Sequence, residues 1–366
     1  MLIQINQEAD PEMIDKIIEK AGADQRLTPG ESLELFHKAE LMTLGDLADK
    51  KRHKLHREPV VTYVVDRNIN YTNVCMSGCL FCAFYCTENS DNAYIISGDL
   101  LRQKIQETID LGGTQILLQG GMHPGLGLDY YLDLLRFIHD NFKIHVHGFS
   151  PPEIFFMAQK SGLSVKQTLE QLIDAGLNSI PGGGAEILSD EIRTKVSPNK
   201  CTADQWLEVM RTAHLLGLKT SATMMFGHVE KPEHIIEHMI KLRELQDETN
   251  GFTAFIPWTF QPDNTRIKVK TRTSAEYLRV LSLSRIVLDN IPNIQASWVT
   301  QGDKIAQTAL FFGANDLGST MIEENVVAAA GVNFRLPESE MIRLIQNAGF
   351  QAVQRDCFYN HICKKG

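Results

Sequence analysis

A chain of 366 residues, 43% hydrophobic and 22% charged, can bury a substantial core, as one large domain or two modest ones. Its 36 Lys and Arg against 45 Asp and Glu leave a net charge of −9, which speaks against nucleic-acid binding, where a basic footprint is expected. No apolar run approaches the roughly 18 residues that span a bilayer. The first ten residues lack the basic and apolar regions of a signal peptide, so a cytoplasmic location with reduced thiols is expected.

Residues 1–57 read as a helical extension. Pro29-Gly30 marks a break, and Ser32 to Lys54 then carries Leu33, Leu35, Phe36, Leu41, Leu44 and Leu47 amid charges, which suits a structural cap packed on a larger body. From Val60 onward, short apolar strands alternate with capped helices. Strands are predicted at 60–65, 114–118, 143–149, 178–180, 218–226 and 251–256, with weaker signals at 294–298 and 314–320. Capping boxes at Ser164-x-x-Gln167, Thr202-x-x-Gln205 and Thr273-x-x-Glu276 open three of the helices, Pro232 and Asp303 open two more, and Gly176 and Gly217 end two. Repeated β-then-α units predict an α/β fold with parallel strands. Eight of them suit a (β/α)8 TIM-type barrel, with a six-stranded open barrel as the alternative. No G-x-G-x-x-G follows the first strand, which disfavours a doubly wound sheet. Residues 58–366 are read as one catalytic domain.

Four of the seven cysteines fall within residues 75–86, just after the first strand. Cys75, Cys79 and Cys82 are spaced C-x3-C-x2-C, and Cys86 follows. Thiolates favour zinc, copper or iron–sulfur clusters. Three ligands from one tight loop would leave one iron of a [4Fe–4S] cube without a protein ligand. With Cys86 the set could instead close a four-cysteine zinc or cluster site, although zinc ribbons place their cysteine pairs well apart.

In a barrel of parallel strands, chemistry collects at the strands' C-terminal ends. Glycine and polar residues gather there: Gln119-Gly120-Gly121-Met122-His123, His147 with Ser150 and Glu153, Gly182 to Gly184 with Glu186, Gly227-His228-Val229-Glu230, and Trp258 to Gln261. Paired glycines permit close backbone approach. A single histidine at such a position is more often structural than catalytic, but His123, His147 and His228 share one rim, where histidine suits acid–base work near neutral pH. No H-E-x-x-H helix, G-x-S-x-G elbow or P-loop is present.

The pattern Cys75-x3-Cys79-x-Phe81-Cys82 resembles the signature of the radical S-adenosylmethionine superfamily. The resemblance implies that Cys75, Cys79 and Cys82 hold a [4Fe–4S] cluster and that S-adenosyl-L-methionine chelates the fourth iron, where one-electron cleavage yields a 5′-deoxyadenosyl radical. It further implies cofactor contacts from Phe81, Tyr85, Gln119, Gly120, Gly121, Ser150 and Glu186, with the paired glycines near the methionyl amino group and Glu186 at the ribose hydroxyls. Met122 stands where many members have an acidic residue, so backbone carbonyls would serve. Cys86 stands where a basic residue is usual and is read as a bystander.

The longer motifs, Asn70 to Cys75, Phe81 to Tyr85, Phe149 to Glu153, Ser179 to Glu186, Thr223 to Glu230 and Phe255 to Pro262, look like those of the cyclic dehypoxanthine futalosine synthase family of menaquinone biosynthesis. That resemblance implies abstraction of a ribose C4′ hydrogen from dehypoxanthine futalosine and closure of a ring onto its benzoate. Phe149, Glu153, Gly183, Gly184, Glu230, Trp258, Phe260 and Gln261 would meet the substrate, and His147, Glu186 or His228 would take the final proton. The implied partners are this small-molecule substrate and a one-electron reductant such as flavodoxin or ferredoxin, with no nucleic acid and no membrane; a homodimer is left open. Aminofutalosine synthase, a deazaflavin-precursor synthase and a zinc-stapled binding protein are the alternative readings.

Overall fold

The structure, a computed structural model, describes residues 11–362 apart from 333 and 335; the expectation about the first ten residues lies outside them. The first strand is longer than its sequence pattern indicates. It runs as β1 (Val60–Val64) and, after Val65, as β2 (Asp66–Asn70). β2 opens a seven-stranded parallel sheet, continued in sequence order by β3 (Gln115–Gln119), β4 (His145–Gly148), β5 (Ser179–Ile180), β6 (Lys219–Phe226), β7 (Phe252–Thr259) and β8 (Asn293–Ile294). β1 lies in a second parallel sheet, between β9 (Asp316–Ser319) and β10 (Gln351–Gln354). A bridge from Gln295 to Asp316 links β8 to β9. Because β1 runs on into β2, the curl returns to its start. The α/β TIM-type fold is as predicted, and the weakly predicted last two strands meet through that one bridge.

The strands sort their side chains by alternation. In β2 and β3, Ile69, Ile116 and Leu118 are fully buried beneath the helices. Asp66, Asn68, Gln115, Leu117 and Gln119 face a cavity inside the curl. A barrel interior is ordinarily filled by branched aliphatic residues; this one is left open, with polar side chains such as Asp66, Asn68, Gln115 and Gln119 among the apolar ones that line it.

The three predicted capping boxes form as read, with Ser164, Thr202 and Thr273 each accepting from the amide three residues on. The helical extension comprises α1 (Pro11–Gly22), α2 (Pro29–Lys38) and α3 (Leu41–Leu55). Pro29-Gly30 proves to be a helix start rather than a break. Pro29 is the first residue of α2, and Thr28 and Glu31 cap each other's backbone. These helices share the barrel's core, with Leu35, Leu44 and Ala48 fully buried. Arg26 ties them to Asp247 and Asp289, and His56 Nε2 reaches the Pro292 carbonyl at the N-terminal end of β8. The extension therefore braces the wall and the end opposite the functional rim. The strand predicted at 294–298 stops at Ile294, and Trp298 opens a short helix, Trp298–Gln301. No helix among the described residues is long and apolar enough to cross a membrane.

Candidate active site

The cysteine loop leaves the C-terminal end of β2 and is pinned at its base by backbone pairing. The Cys86 amide donates to Asn73 O at 2.9 Å and the Cys75 amide to Cys86 O at 3.1 Å. Cys86 thus has a structural duty in its main chain. Ser77 Oγ lies 3.0 Å from Cys75 Sγ and 3.3 Å from Cys79 Sγ, and the Met122 amide donates to Cys75 Sγ at 3.3 Å. Burial pushes the Cys79 thiol up to about 11 and raises Cys82, while the Lys200 charge and nearby hydrogen-bond donors oppose the rise. No three of Cys75, Cys79, Cys82 and Cys86 bring their sulfurs within 4.8 Å of one another. A single zinc ion with bonds of about 2.3 Å would gather them more tightly, whereas a four-iron cube spreads its thiolates over separate irons. The thiol set and its ring of donors fit a [4Fe–4S] cluster on Cys75, Cys79 and Cys82.

The loop after β3 requires its glycines. A Cβ on Gly120 would lie 2.5 Å from the Tyr71 ring, and one on Gly121 would lie 2.0 Å from Val74 O. The Gly-Gly stretch is therefore laid directly against the cysteine loop, with the Met76 amide donating to Met122 O at 3.0 Å. Glu153 fixes this contact from below. Its carboxylate accepts from Tyr71 Oη at 2.6 Å, the Gly120 amide at 3.0 Å and the Ser150 amide at 2.8 Å. Burial raises the Glu153 pKa against these bonds.

A buried ionic triad sits beside the cysteines. Glu186, in left-handed backbone at φ 42°, accepts from Lys200 Nζ at 2.9 Å through Oε1. Its Oε2 lies 3.6 Å from Arg193 Nη1 and has no hydrogen-bond partner. Lys200 Nζ also lies 5.1 Å from the centre of the Phe81 ring. Burial alone would lower the Lys200 pKa, but Cys79 and Glu186 hold it above the ordinary lysine value. Arg193 donates to Gly184 O at 3.1 Å and Ala185 O at 2.6 Å, and Trp206 Nε1 to Gly183 O at 3.2 Å. These bonds shape the three-glycine turn so that Glu186 faces the chamber. Sequence reasoning missed Lys200 and Arg193. Both sit in ordinary helix-to-helix sequence, and no periodicity distinguishes them from surface cations.

The chamber has a volume of about 290 Å³. Six residues predicted from the sequence line it together: Gln119, His147, Gly183, Gly184, Glu186 and Trp258. Trp298, from the helix after β8, joins them. Several other expected site residues are used elsewhere. Phe149 is fully buried, packed edge-on between Tyr71 and Tyr131 at 5.8 and 5.6 Å. Glu153 and Ser150 form the N-terminal cap of the helix Pro151–Ser161. His228 donates from Nε2 to Met225 O at 3.1 Å and accepts at Nδ1 from the Val229 amide at 2.8 Å, so neither ring nitrogen is left for substrate. Glu230 accepts from the Gly227 and His228 amides at 2.6 and 2.9 Å, and Phe260 packs on His228. Gln261 turns back to Thr259, and His123 Nδ1 accepts from the Gly125 amide. Tyr85 lies under the Arg266 guanidinium. Position at a strand end brought these residues to the rim, but local backbone groups satisfy them first.

The floor of the chamber comes from an element absent from the sequence reading. Beyond β10, Arg355, Cys357 and Tyr359 alternate along the chain and line the cavity. Arg355 grips Asp316 at 2.6 and 3.0 Å. His147, His145 and Cys357 place three donor atoms within 4.8 Å of one another, but Ser179 Oγ lies among them at 2.6, 2.7 and 3.3 Å. The serine hydroxyl makes this a hydrogen-bonded cluster. Burial pushes His147 down to about 3, so it is neutral at pH 7 and a weak proton acceptor.

Residues 69–242 match the family model of the radical SAM superfamily, and residues 249–364 match the CofH/MqnC C-terminal region. The chain is 45% identical over 351 residues, 95% of each chain, to cyclic dehypoxanthine futalosine synthase of Halalkalibacterium halodurans. It is 41% identical over 354 residues to the same-named enzyme of Streptomyces coelicolor, covering 95% of this chain and 89% of that one. It is also 41% identical over 349 residues, 92% of this chain and 97% of the other, to 5-amino-6-(D-ribitylamino)uracil–L-tyrosine 4-hydroxyphenyl transferase of Methanocaldococcus jannaschii. In fold it is similar to the hydrogenase maturase HydG of Carboxydothermus hydrogenoformans, at TM-score 0.76 and 15% identity over 95% of this chain and 81% of that one. Methylornithine synthase gives TM-score 0.67 and 20% identity over 93% and 97%.

Proposed function

The chain belongs to the radical SAM superfamily, and we propose that within it the protein closes a ring on dehypoxanthine futalosine. The observation that carries this reading is the 45% identity, over 95% of both chains, to a relative of that name. The chamber is consistent with it. Trp258 and Trp298 offer flat apolar faces for an aromatic ring, and Glu186 presents an acceptor with no partner inside the protein.

When bound, the cluster and S-adenosylmethionine supply a species able to abstract a hydrogen atom. Cys75, Cys79 and Cys82 would hold the cluster. The Gly120–Gly121 backbone, with no side chain in the way, would admit the methionyl end, and Glu186 would take ribose hydroxyls. Lys200 holds Glu186 through Oε1 and leaves Oε2 as an acceptor toward the chamber. The rings of Trp258 and Trp298 would hold the benzoate beside the ribose carbon, because position and alignment decide which bond forms. With His228 engaged by backbone and His147 hard to protonate, Glu186 is the remaining candidate of the three to accept the final proton; the electron lost with that proton would be taken up by the cluster when it is bound.

A second reading follows from the near-equal identity to the archaeal transferase, whose name specifies two substrates, the ribitylaminouracil and tyrosine. One experiment separates the two. The reconstituted, reduced protein is offered S-adenosylmethionine with dehypoxanthine futalosine, or with 5-amino-6-(D-ribitylamino)uracil and tyrosine. The proposal expects a product lighter than dehypoxanthine futalosine by two hydrogens and no reaction with the second pair. The reverse outcome would assign the chain to the transferase.

A further inference from the structure

The segment after β7 carries a pattern that the reaction chemistry does not use: Arg266-Ile267-Lys268-Val269-Lys270. Ile267 is buried and Val269 half-buried, while Arg266, Lys268 and Lys270 are all exposed. The period of two is that of an extended chain with one face packed and the other in water. The result is a row of three cations on one face of a protein whose net charge is −9.

Two features distinguish this row from an ordinary solvated face. The cations are not neutralised: among the described residues no carboxylate forms an ion pair with any of the three. Arg272, next in the row, does pair with Glu276 at 2.9 Å, which marks the end of the free strip. The row is also tied to the cysteine loop. The Arg266 amide donates to Leu80 O at 2.9 Å, its guanidinium donates to Gly78 O and to Cys79 O at 3.1 Å, and it lies 5.6 Å from the centre of the Tyr85 ring. Lys268 and Lys270 line a shallow depression with Pro262, Asn264 and Gly331, which also holds Asp263.

We infer that the Arg266–Lys268–Lys270 strip is the docking face for an acidic one-electron carrier protein that reduces the cluster. This rests on the reading of the cysteine loop as a cluster site that needs an electron from outside. A carrier with an acidic face around its redox centre complements the strip in sign. Uncompensated charges of opposite sign raise encounter rates and fix orientation more than they add affinity. Arg266 places the strip against the loop that bears Cys79, so an encounter guided by it presents the carrier's redox centre to the cluster side.

The test is the Lys268→Glu/Lys270→Glu double variant of the full chain, which leaves the cysteine loop's own contacts intact. Binding of an acidic flavodoxin and, separately, an acidic ferredoxin is measured across ionic strength on cluster-loaded and cluster-free protein. Cleavage of S-adenosylmethionine is then driven either by each carrier or by a small chemical reductant. The inference expects carrier association to fall by about tenfold or more at low salt, with a flatter salt dependence and unchanged turnover with the chemical reductant. Loss with one carrier alone would identify which class docks. Carrier binding and carrier-driven turnover equal to the parent's would overturn the docking face. Failure of the parent protein to cleave S-adenosylmethionine with the chemical reductant would instead overturn the cluster reading. Lys268→Gln/Lys270→Gln, falling between parent and double Glu variant, separates a charge effect from misfolding.

Discussion

The mouth and the floor of the barrel both bury charged side chains, yet those chains end up in different states. At the floor, Arg355 and Asp316 close on each other in two hydrogen bonds, and Ser179 satisfies His145, His147 and Cys357 together. At the mouth, Glu186 keeps one oxygen without a partner despite two cations nearby. A charged group whose capacity is filled inside the fold holds the structure together; a charged group left open toward the chamber is available to a ligand. On this basis floor substitutions should cost stability and mouth substitutions should cost activity.

The largest expected effect is at the floor. Arg355→Met strands the fully buried Asp316 carboxylate, and losing one partner of such a pair costs about 3–5 kcal/mol; urea unfolding measures it. The converse at the mouth is Glu186→Gln, which keeps the shape. It should lower turnover roughly a hundredfold, equivalent to about 2.7 kcal/mol in the transition state, with a smaller loss of stability than Arg355→Met because the Gln amide oxygen still accepts from Lys200. If Glu186→Gln unfolded the protein and left turnover of the folded fraction intact, the contrast between the two ends would collapse. Glu153 tests a residue first assigned to substrate and now placed in the scaffold. Glu153→Ala leaves the Ser150 hydroxyl and the Gly120 and Ser150 amides without an acceptor, and leaves the Tyr71 hydroxyl only its long bond to Gly121 O; the loss is about 3 kcal/mol in stability at roughly 1 kcal/mol per stranded donor.

A pH series sharpens the floor's side of the comparison. Burial pushes His145 down to about 4 and His147 down to about 3. The unfolded chain protonates them near 6.5, so their contribution is complete above that pH and is lost as pH falls toward 4. Each should steepen the acid limb by up to about 1.4 kcal/mol per pH unit. An acid limb unchanged in His147→Asn would contradict the burial of that ring. The smallest effect belongs to Tyr359→Phe. Its hydroxyl is buried without a partner, so the change should be neutral or stabilising by up to about 1 kcal/mol.

Much of this was legible in the sequence because it rests on local signals. Capping boxes at Ser164, Thr202 and Thr273 are set by residues three apart, and the first six strands carry apolar runs that water would not tolerate outside a core. The cysteine spacing and the glycine loops were legible for the same reason. The floor was not. β10 begins Gln351-Ala352-Val353-Gln354, a weak strand signal, and it is placed by pairing with β1 almost 300 residues earlier in the chain. Lys200 and Arg193 gain their meaning only when the fold brings them to Glu186. His228, Glu230 and Phe149 show the opposite error. Their positions at strand ends were read correctly, but the backbone groups and rings that occupy them lie beyond any sequence pattern.

The central claim is that the three-cysteine loop leaves one iron of a cube open for S-adenosylmethionine. Electron paramagnetic resonance of the anaerobically reconstituted, reduced protein, with and without S-adenosylmethionine, tests it most directly when parent and Cys86→Ala are compared. The account predicts a cluster signal that shifts when S-adenosylmethionine is added, equally in both proteins. A signal indifferent to S-adenosylmethionine in the parent, becoming responsive only in Cys86→Ala, would show that Cys86 closes the site and would contradict it.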